Sequence, residues 1–390
     1  MKILMLFVDM LRPNRFGIYN KDLEFNEIDK IISRLGGTLY TNCFSPGPDT
    51  PRSMACFYSG LYPHLNGCDT RVKYPGKFLK NDVSTIFDIF LKENYETHFF
   101  SNPNERKGGL FPSSISDLEI HNEDFDLKKY LEKISLQQKH LVFLSIPDYH
   151  WALGDWGYTS KGEKEAIKET SRSLEIVFNK FDPDDFDHIF LFSDHGFKFS
   201  SQFKYESWHE FLNRDRSNIF LLHRKKGDSD ISYNDKLSSI KDISNTIDEL
   251  FSKKNELSLL SEIEREYVVI EDHLSISAPK VNQDVDLWGV MTKDEMYART
   301  LTEAVTVKNN KVISDLPSQH FDEILRKESQ FGRYQNEYNK VFDYHKYILA
   351  QTSYMNGNKR PDDIVPHKLS RNLEKLKDKI KYSLLSKYKK

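Results

Sequence analysis

The feature that most constrains the fold is a set of short, wholly apolar runs that alternate with segments of helical periodicity. An uninterrupted apolar run of this length is typical of a strand that is buried on both faces of a parallel sheet. Alternation over about 220 residues therefore predicts an α/β fold, with a mostly parallel central sheet and helices on both faces. The predicted strands are Ile3–Val8, Leu141–Ile146, His188–Phe192 and Asn218–Leu222. The predicted helices are Asn26–Leu35, Val83–Glu93, Asp126–Leu136 and Lys161–Phe181.

The pattern changes after about residue 260, which predicts a boundary between two domains. We expect a catalytic α/β domain over residues 1–265 and a C-terminal subdomain over residues 266–390. The subdomain begins with three segments that are typical of antiparallel strands and then becomes helical. These segments are Tyr267–Ile270, Asp286–Met291 and Glu295–Val307.

Residues 368–390 form a basic amphipathic segment, with nine Lys or Arg residues and leucines on one helical face. Such a helix suits an anionic membrane surface. The alternative is a terminal helix that docks on the domain and leaves its basic face in water.

The formal charge of −3 over 390 residues gives no global attraction to nucleic acid. Three cysteines are too few for a disulfide framework in a chain of this length. The first apolar run ends at Asp9 after six residues, so it is interpreted as a core strand and not as a signal peptide. We therefore expect a cytoplasmic protein. The sequence indicates no particular oligomeric state.

Polar residues follow three of the predicted strands, at the point where each strand ends. Because the carboxyl ends of parallel strands share one edge of a sheet, we expect these side chains to lie together. Carboxylate oxygens and imidazole nitrogens are ligands for divalent cations. Each residue alone is also explained by a turn or a helix cap, but together they predict a metal site. They are Asp9 after the first strand, Asp148 and His150 after the second, and Asp194 and His195 after the third, where Gly196 permits close backbone approach.

A Pro/Gly-rich loop leads into a predicted short helix that starts near Thr50. A hydroxyl at a helix N-terminus lies in a positive field, and a nearby divalent cation would make it nucleophilic. The alternative is that Thr50 or Ser53 merely caps the helix. The planar fork of Arg52 suits a non-bridging oxygen of a bound anion, with an ion pair at the base of the loop as the alternative.

Four segments resemble the alkaline phosphatase superfamily, on its sulfatase-like and phosphodiesterase-like branch. The resemblance runs through most of residues 1–275. The segments are LFVDMLRPNRFGIYN, TPRSMACFYSGLYPHLNG, LFSDHGF and, more weakly, KDISNTIDELF.

The resemblance implies a nucleophile ten positions before Gly60, which is Thr50. It further implies two divalent ions, Zn or Mn, with Ca or Mg as alternatives. For the third ligand of the second ion, His209 is favoured and His273 is the alternative. Asn102, Lys204 and Arg216 are the candidate substrate contacts. The implied ligands are Asp9, Thr50, Asp194 and His195 for the first ion, and Asp148, His150 and His209 for the second.

Three departures from the sulfatase pattern favour phosphate over sulfate esters. Thr50 cannot become formylglycine, the aldehyde on which the main sulfatase class depends, and Pro51 follows it directly. The segment Ser101–Asn104 stands where that class has a Lys-Trp-His-type sequence. The usual pair of N-terminal aspartates is reduced to Asp9 followed by Met10.

The leading hypothesis is a metal-dependent hydrolase or transferase that acts on phosphate mono- or diesters and forms a phospho-threonine intermediate. One alternative is a sulfatase without formylglycine, and another is a non-catalytic relative that binds anionic glycans. A narrower hypothesis places a glycan or lipid-linked precursor in the site, at the inner membrane face. Trp151, Trp156 and Trp208 would then stack on sugar rings, unless they are ordinary core residues.

Overall fold

The computed structural model describes residues 1–68, 79–80, 82–101, 126–136, 138–197, 207–251, 255–273 and 285–339. The chain divides into two compact units, Met1–Ile324 and Leu325–Lys390. The second unit is described through residue 339 and is helical over 331–339. The predicted tail helix over 368–390 lies outside the described residues, as do Asn102 and Lys204. The domain boundary at residue 265 stays a prediction.

The described residues form strands that are joined by α-helices and by short 3₁₀ helices. The strands, numbered in chain order, are β1 (Lys2–Val8), β2 (Gly37–Tyr40), β3 (Cys43–Phe44), β4 (Glu96–Phe100), β5 (His140–Ile146), β6 (His188–Phe192), β7 (Leu221–Lys225), β8 (Ile231–Asn234), β9 (Ser238–Ser239), β10 (Val268–His273), β11 (Asp286–Met291), β12 (Glu295–Arg299), β13 (Ala304–Lys308) and β14 (Lys311–Ser314). The α-helices are Glu27–Leu35, Thr50–Ser59, Pro63–Asn66, Ile86–Lys92, Leu127–Glu132, Asp148–Trp156, Ser160–Lys180, Arg214–Ser217, Lys241–Leu250 and Gln319–Glu328. The 3₁₀ helices are Pro13–Arg15, Pro183–Asp185 and Trp208–Leu212.

The central sheet has seven strands in the order β4-β5-β1-β6-β7-β2-β8. The strands β4, β5, β1 and β6 run parallel to one another, and β2 runs parallel to β8. Among these described strands, only β7 is antiparallel to its neighbours, β6 and β2. Most pairings are therefore parallel, which confirms the predicted fold class.

Alternate residues of β1 face opposite sides of the sheet, as the two-residue period of a strand requires. The even-numbered residues of Leu4–Val8 share a core with the helix Ser160–Lys180. The odd-numbered residues of Ile3–Phe7 share a second core with the helix Thr50–Ser59. Both faces of the strand are thus buried, which explains the uninterrupted apolar run in the sequence.

The helix Glu27–Leu35 shows how local sequence also positions a loop next to β1. The side chain of Asn26 accepts hydrogen bonds from the N–H groups of Ile28 and Asp29, and Asp29 accepts one from the N–H of Asn26. This reciprocal cap fixes the start of the helix. The Asp29 carboxylate also accepts the N–H groups of Gly17 and Ile18. The segment that follows β1 is therefore held against this helix.

The strands β10 to β14 form a separate five-stranded sheet in sequential antiparallel order. This arrangement confirms the predicted antiparallel subdomain. The single strand predicted over Glu295–Val307 is in fact the hairpin β12–β13. The Oγ1 atom of Thr300 accepts the N–H groups of Thr302 at 3.2 Å and Glu303 at 2.8 Å, which closes the turn between the two strands.

The central sheet differs from the sequence-based expectation in several strands, and β2 and β8 were not predicted. The strand predicted over Asn218–Leu222 starts only at Leu221, because the residues before it pair with β3. Asn218 forms a bridge to Phe44, and the N–H of Ile219 donates to the carbonyl of Cys43. The edge strand β4 was not predicted, because its polar residues interrupt the apolar pattern. Within the described ranges, no helix has the combined length and apolar character of a bilayer-spanning segment.

Candidate active site

The ends of β1 and β6 bring two aspartates side by side. Phe7 of β1 lies opposite Phe192 of β6, so Asp9 and Asp194 leave the sheet at the same level. The backbone turns sharply after Asp9, since Met10 has a positive φ of 66°. This turn directs the N–H of Met10 to Asp194 Oδ1 at 3.1 Å. The expectation that these strand ends meet at one sheet edge is therefore met for Asp9 and Asp194.

Asp9, Asp194 and His195 form a cluster that fits a divalent cation. One ligand atom from each lies within 4.8 Å of the other two. Two of the carboxylate oxygens, Asp9 Oδ1 and Asp194 Oδ2, are buried and have no hydrogen-bond partner among the described residues. Buried charged oxygens without donors are costly, and a cation between them would remove that cost. The donor set, two carboxylates and an imidazole, suits Zn or Mn.

The backbone fixes which nitrogen of His195 faces this cluster. Nδ1 lies 2.8 Å from the carbonyl oxygen of Gly196, which can only accept, so Nδ1 carries the proton. The lone pair is then on Nε2, which is 3.4 Å from Asp194 Oδ2 and 3.5 Å from Thr50 Oγ1. A backbone carbonyl that orients the imidazole in this way is common for histidines that bind metal ions.

Gly196 permits the close backbone approach that the sequence suggested. A Cβ atom on Gly196 would lie 2.3 Å from the carbonyl oxygen of Asp215. The N–H of Gly196 also donates to the carbonyl of Arg216 at 2.8 Å. Any side chain here would push the Asp-His segment away from Asp215, because the opposing atom is backbone and cannot swing aside.

Thr50 is the first residue of the helix Thr50–Ser59, and the cap of this helix is another residue. Asp49 accepts the N–H of Arg52 at 3.0 Å, which is the N-cap interaction. The hydroxyl of Ser53 instead donates to the carbonyl of Asp194 at 2.6 Å. Neither Thr50 nor Ser53 is therefore the cap. The Thr50 hydroxyl lies at the positive end of the helix and next to His195 Nε2.

Arg52 makes the ion pair that was the alternative to a substrate contact. Its guanidinium is fully buried and donates to Asp49, to Asp272 Oδ1 at 2.6 Å and to the carbonyl of Glu271. Asp272 also binds Arg216 at 2.8 Å. Burial opposes the charge of Arg52, but Asp49 and Asp272 together hold its pKa above the usual value. The group therefore braces the loop that carries Thr50. A contact between Arg52 and substrate stays a prediction.

The residues expected to hold a second ion are not gathered into one cluster in the described part of the chain. Asp148 and His150 lie in the helix Asp148–Trp156, where a spacing of two residues turns side chains about 200° apart. His150 Nδ1 contacts Asp9 Oδ2 at 2.7 Å. Asp148 faces Ser173, and burial raises its pKa. This divergence is the physical reason that the predicted set does not assemble.

The two histidines considered as third ligand have other surroundings. His209 lies in the 3₁₀ helix Trp208–Leu212, with its ring edge-on to Trp208 at 5.7 Å. His273 ends β10 and lies 3.5 Å from Asp286 Oδ1. Sequence reasoning overlooked Asp272 as a structural anchor, although its place at the end of a predicted strand was the same signal that identified Asp194.

The two site carboxylates have opposite pKa shifts. Burial raises the pKa of Asp194 to about 6, against the attraction of His195. Burial also acts to raise the pKa of Asp9, but the charge and hydrogen bond of His150 outweigh it and lower the pKa overall. The pKa values of the two adjacent carboxylates are therefore separated. Such a pair holds one negative charge readily, but a second negative charge only with difficulty.

Cation affinity is therefore expected to depend on pH below about 6. A cation must displace the proton of Asp194, so its affinity should fall about tenfold per pH unit below that pKa and level off above it. In chelator-treated protein, the free energy of unfolding changes with pH in the opposite direction to the cation affinity. The raised pKa stabilises the fold at low pH, and this contribution is lost as the pH rises through about 6. Calorimetric titration with Mn²⁺ across this range checks the slope, and a flat affinity would contradict the assignment.

Both the sequence and the fold of this chain resemble those of known proteins. Residues 2–142 match the family model for sulfatases. An alkaline phosphatase superfamily protein from Vibrio parahaemolyticus superposes with a TM-score of 0.60 at 13% identity, over 86% of each chain. The N-terminal part of the chain is therefore similar in sequence to sulfatases, and the chain has the fold of this alkaline phosphatase superfamily protein.

Other solved structures of this superfamily fold are sulfatases. A 2-O GAG sulfatase superposes with a TM-score of 0.60 at 14% identity, over 91% of this chain and 92% of its own. A putative sulfatase from Bacteroides thetaiotaomicron gives a TM-score of 0.61 at 15% identity, over 93% and 95%. The search of curated proteins found no match. At these identities the structural likeness concerns the fold alone.

Proposed function

We propose that this chain is a member of the alkaline phosphatase superfamily and a metal-dependent hydrolase or transferase that acts on phosphate mono- or diesters through Thr50. The observation that carries the proposal is the position of the Thr50 hydroxyl. It lies 3.5 Å from His195 Nε2, at a helix N-terminus and beside a three-residue cluster that fits a cation. A hydroxyl with only a capping or packing role would not need these surroundings.

The chain's own residues have distinct tasks in this mechanism. A cation held by Asp9, Asp194 and His195 would supply positive charge that neutralises the ester and lowers the pKa of the Thr50 hydroxyl. The oxygen of Thr50 attacks phosphorus in line, and the bond from phosphorus to the leaving oxygen breaks. The resulting phospho-threonine is cleaved by water or by an acceptor hydroxyl. The first N–H groups of the helix Thr50–Ser59 offer a positive field to the transferred group.

Two contacts keep the ligand residues in place during these steps. His150 holds Asp9 at 2.7 Å, and the carbonyl of Gly196 holds the ring of His195 at 2.8 Å. The Gly196 contact engages Nδ1, so the Nε2 side of the ring is the one that faces Thr50. The site thus has little reorganisation to perform when substrate arrives.

The chemistry of Thr50 supports phosphate as the transferred group. Threonine cannot form the aldehyde that the main sulfatase class uses, whereas a phospho-threonine is an ordinary ester that water can cleave. A sulfate ester is the second candidate, because residues 2–142 match the sulfatase family model. A sulfate substrate would have to be turned over without formylglycine.

Within the class of phosphate esters, we propose more specifically that the substrate contains a sugar. Trp151 and Trp156 lie on the same helix as His150, and about half of each side chain is exposed. Exposed indole rings near a site are suited to stacking on sugars. Trp208 instead donates its indole N–H to Glu303 at 2.7 Å.

A panel of chromogenic esters tests the reaction. The purified full chain is supplied with Mn²⁺ or Zn²⁺ and offered nitrophenyl phosphate, bis-nitrophenyl phosphate and nitrophenyl sulfate. We expect turnover of a phosphate compound at least about tenfold faster than of the sulfate, with a phospho-threonine at residue 50 after acid quenching. Preferential turnover of the sulfate would reverse the order of the two candidates. Binding of anionic glycans without turnover of any ester would favour the non-catalytic alternative.

A further inference from the structure

A second cluster of metal-ligating side chains lies at the amino-terminal ends of the strands of the central sheet, opposite the ends that carry the active site. Glu96 and His98 are two residues apart on β4, so their side chains share one face of the sheet. His140 is the first residue of β5 and pairs directly with Glu96. The parallel register of β4 and β5 thus places all three side chains together. This edge is the amino-terminal one, about 20 Å along β5 from the end that carries the active site.

The distances within this cluster match those between ligands of one ion. His98 Nε2 lies 3.2 Å from Glu96 Oε1, and His140 Nε2 lies 3.0 Å from Glu96 Oε2. One ligand atom from each of the three residues lies within 4.8 Å of the other two. In a tetrahedral site with bonds of about 2.0–2.1 Å, neighbouring ligand atoms are about 3.3 Å apart. The observed separations are therefore close to those of an assembled site.

The exposure of the three side chains indicates how an ion would enter. The side chain of His140 is 1% exposed, that of His98 is 19% exposed and that of Glu96 is 53% exposed. The imidazole rings of His98 and His140 stack at 5.4 Å with an interplanar angle of 9°, so they are already held side by side. The imidazole end is largely buried and the carboxylate end is open to solvent, from which a water can supply the fourth ligand.

We propose that Glu96, His98 and His140 bind a divalent transition-metal ion, with Zn²⁺ preferred, at a site separate from the active site. Two imidazole nitrogens and one carboxylate are a donor set for Zn²⁺, whereas Ca²⁺ and Mg²⁺ require more oxygen ligands. Because the site joins β4, an edge strand, to the inner strand β5, the ion stabilises the pairing of these two strands. Its role is structural, and catalysis does not depend on it.

The alternative is a purely hydrogen-bonded cluster in which Glu96 accepts an N–H from each ring. Counting bound ions separates the two. The full chain is treated with chelator and dialysed against Zn²⁺, and the bound metal is measured for wild type, Glu96→Gln, Asp194→Asn and the double variant. We expect each single variant to lose one ion per chain and the double variant to lose both. The exposed His320→Ala is the matched control and should bind as many ions as wild type.

Two further measurements keep the test decisive. Circular dichroism in the presence of chelator verifies that Glu96→Gln is folded, and we expect Zn²⁺ to raise the Tm of Asp194→Asn but not that of the double variant. Turnover of the nitrophenyl ester should be unchanged in Glu96→Gln, so failure of this site and failure of the proposed function are distinguishable. If Glu96→Gln bound as many ions as wild type, with the same Tm shift, the proposed metal site of Glu96, His98 and His140 would be refuted.

Discussion

Replacing Thr50 with alanine is expected to abolish turnover, with a loss on the order of 10⁴-fold or more in kcat. The variant removes the oxygen that forms the covalent bond, and neighbouring hydroxyls are already engaged. Ser53, for example, donates to the carbonyl of Asp194. The measurement is kcat for the fastest nitrophenyl ester, together with the metal content of the purified variant. The expected result is loss of turnover without loss of fold.

Thr50→Ser is the matched control for this prediction. It keeps a hydroxyl at the same position of the helix and should retain a measurable fraction of activity and a phosphorylated residue 50. A Thr50→Ala protein with wild-type kcat would show that another group is the nucleophile. Equal loss in Thr50→Ala and Thr50→Ser would indicate that the shape of the threonine methyl group, and not its oxygen, limits the reaction.

Replacing Arg52 with methionine is expected to lower the free energy of unfolding by about 3–5 kcal/mol. The guanidinium has no exposed surface and pairs with Asp272, which is also fully buried. Its removal leaves the Asp272 carboxylate, among its described ion pairs, with that to Arg216, and the loop of Asp49 loses its anchor. Urea unfolding followed by circular dichroism measures the change. Activity should fall as well, since the anchored loop carries Thr50.

Arg34→Met is the matched control, because it removes a similar ion pair at the surface. The side chains of Arg34 and Glu175 are 66% and 42% exposed, so their pair should contribute about 1 kcal/mol or less. An Arg52→Met protein as stable as Arg34→Met would contradict the anchoring role. If Arg52→Met kept its stability but showed a raised KM with unchanged kcat, a substrate contact of Arg52 would be favoured instead.

Much of the fold followed from local patterns in the sequence. The buried strands β1, β5 and β6 lie within one residue of their predicted bounds, because a strand covered on both faces must be apolar throughout. The edge strand β4 was missed for the complementary reason, since its first three residues are polar and exposed or half-buried, and two of them are Glu96 and His98. Pairing with β3 shortened β7, and no local pattern encodes such a partner.

The candidate site was predictable in part. The strand ends identified Asp9, Asp194 and His195, because parallel topology alone brings such residues to one edge. The helical period would have shown that Asp148 and His150 diverge, once the segment after β5 was recognised as a helix. The buried partner of Arg52 is Asp272, 220 positions further along the chain, and a single sequence contains no signal that joins the two.

The most direct test of the proposed metal-activated threonine is an anomalous difference map from crystals grown with Mn²⁺ or Zn²⁺. We predict a peak about 2.0–2.3 Å from one oxygen each of Asp9 and Asp194, from His195 Nε2 and from Thr50 Oγ1. Crystals in which this cluster stays empty while ions bind elsewhere would contradict the proposal. So would an ion in the cluster with the Thr50 oxygen turned away from it.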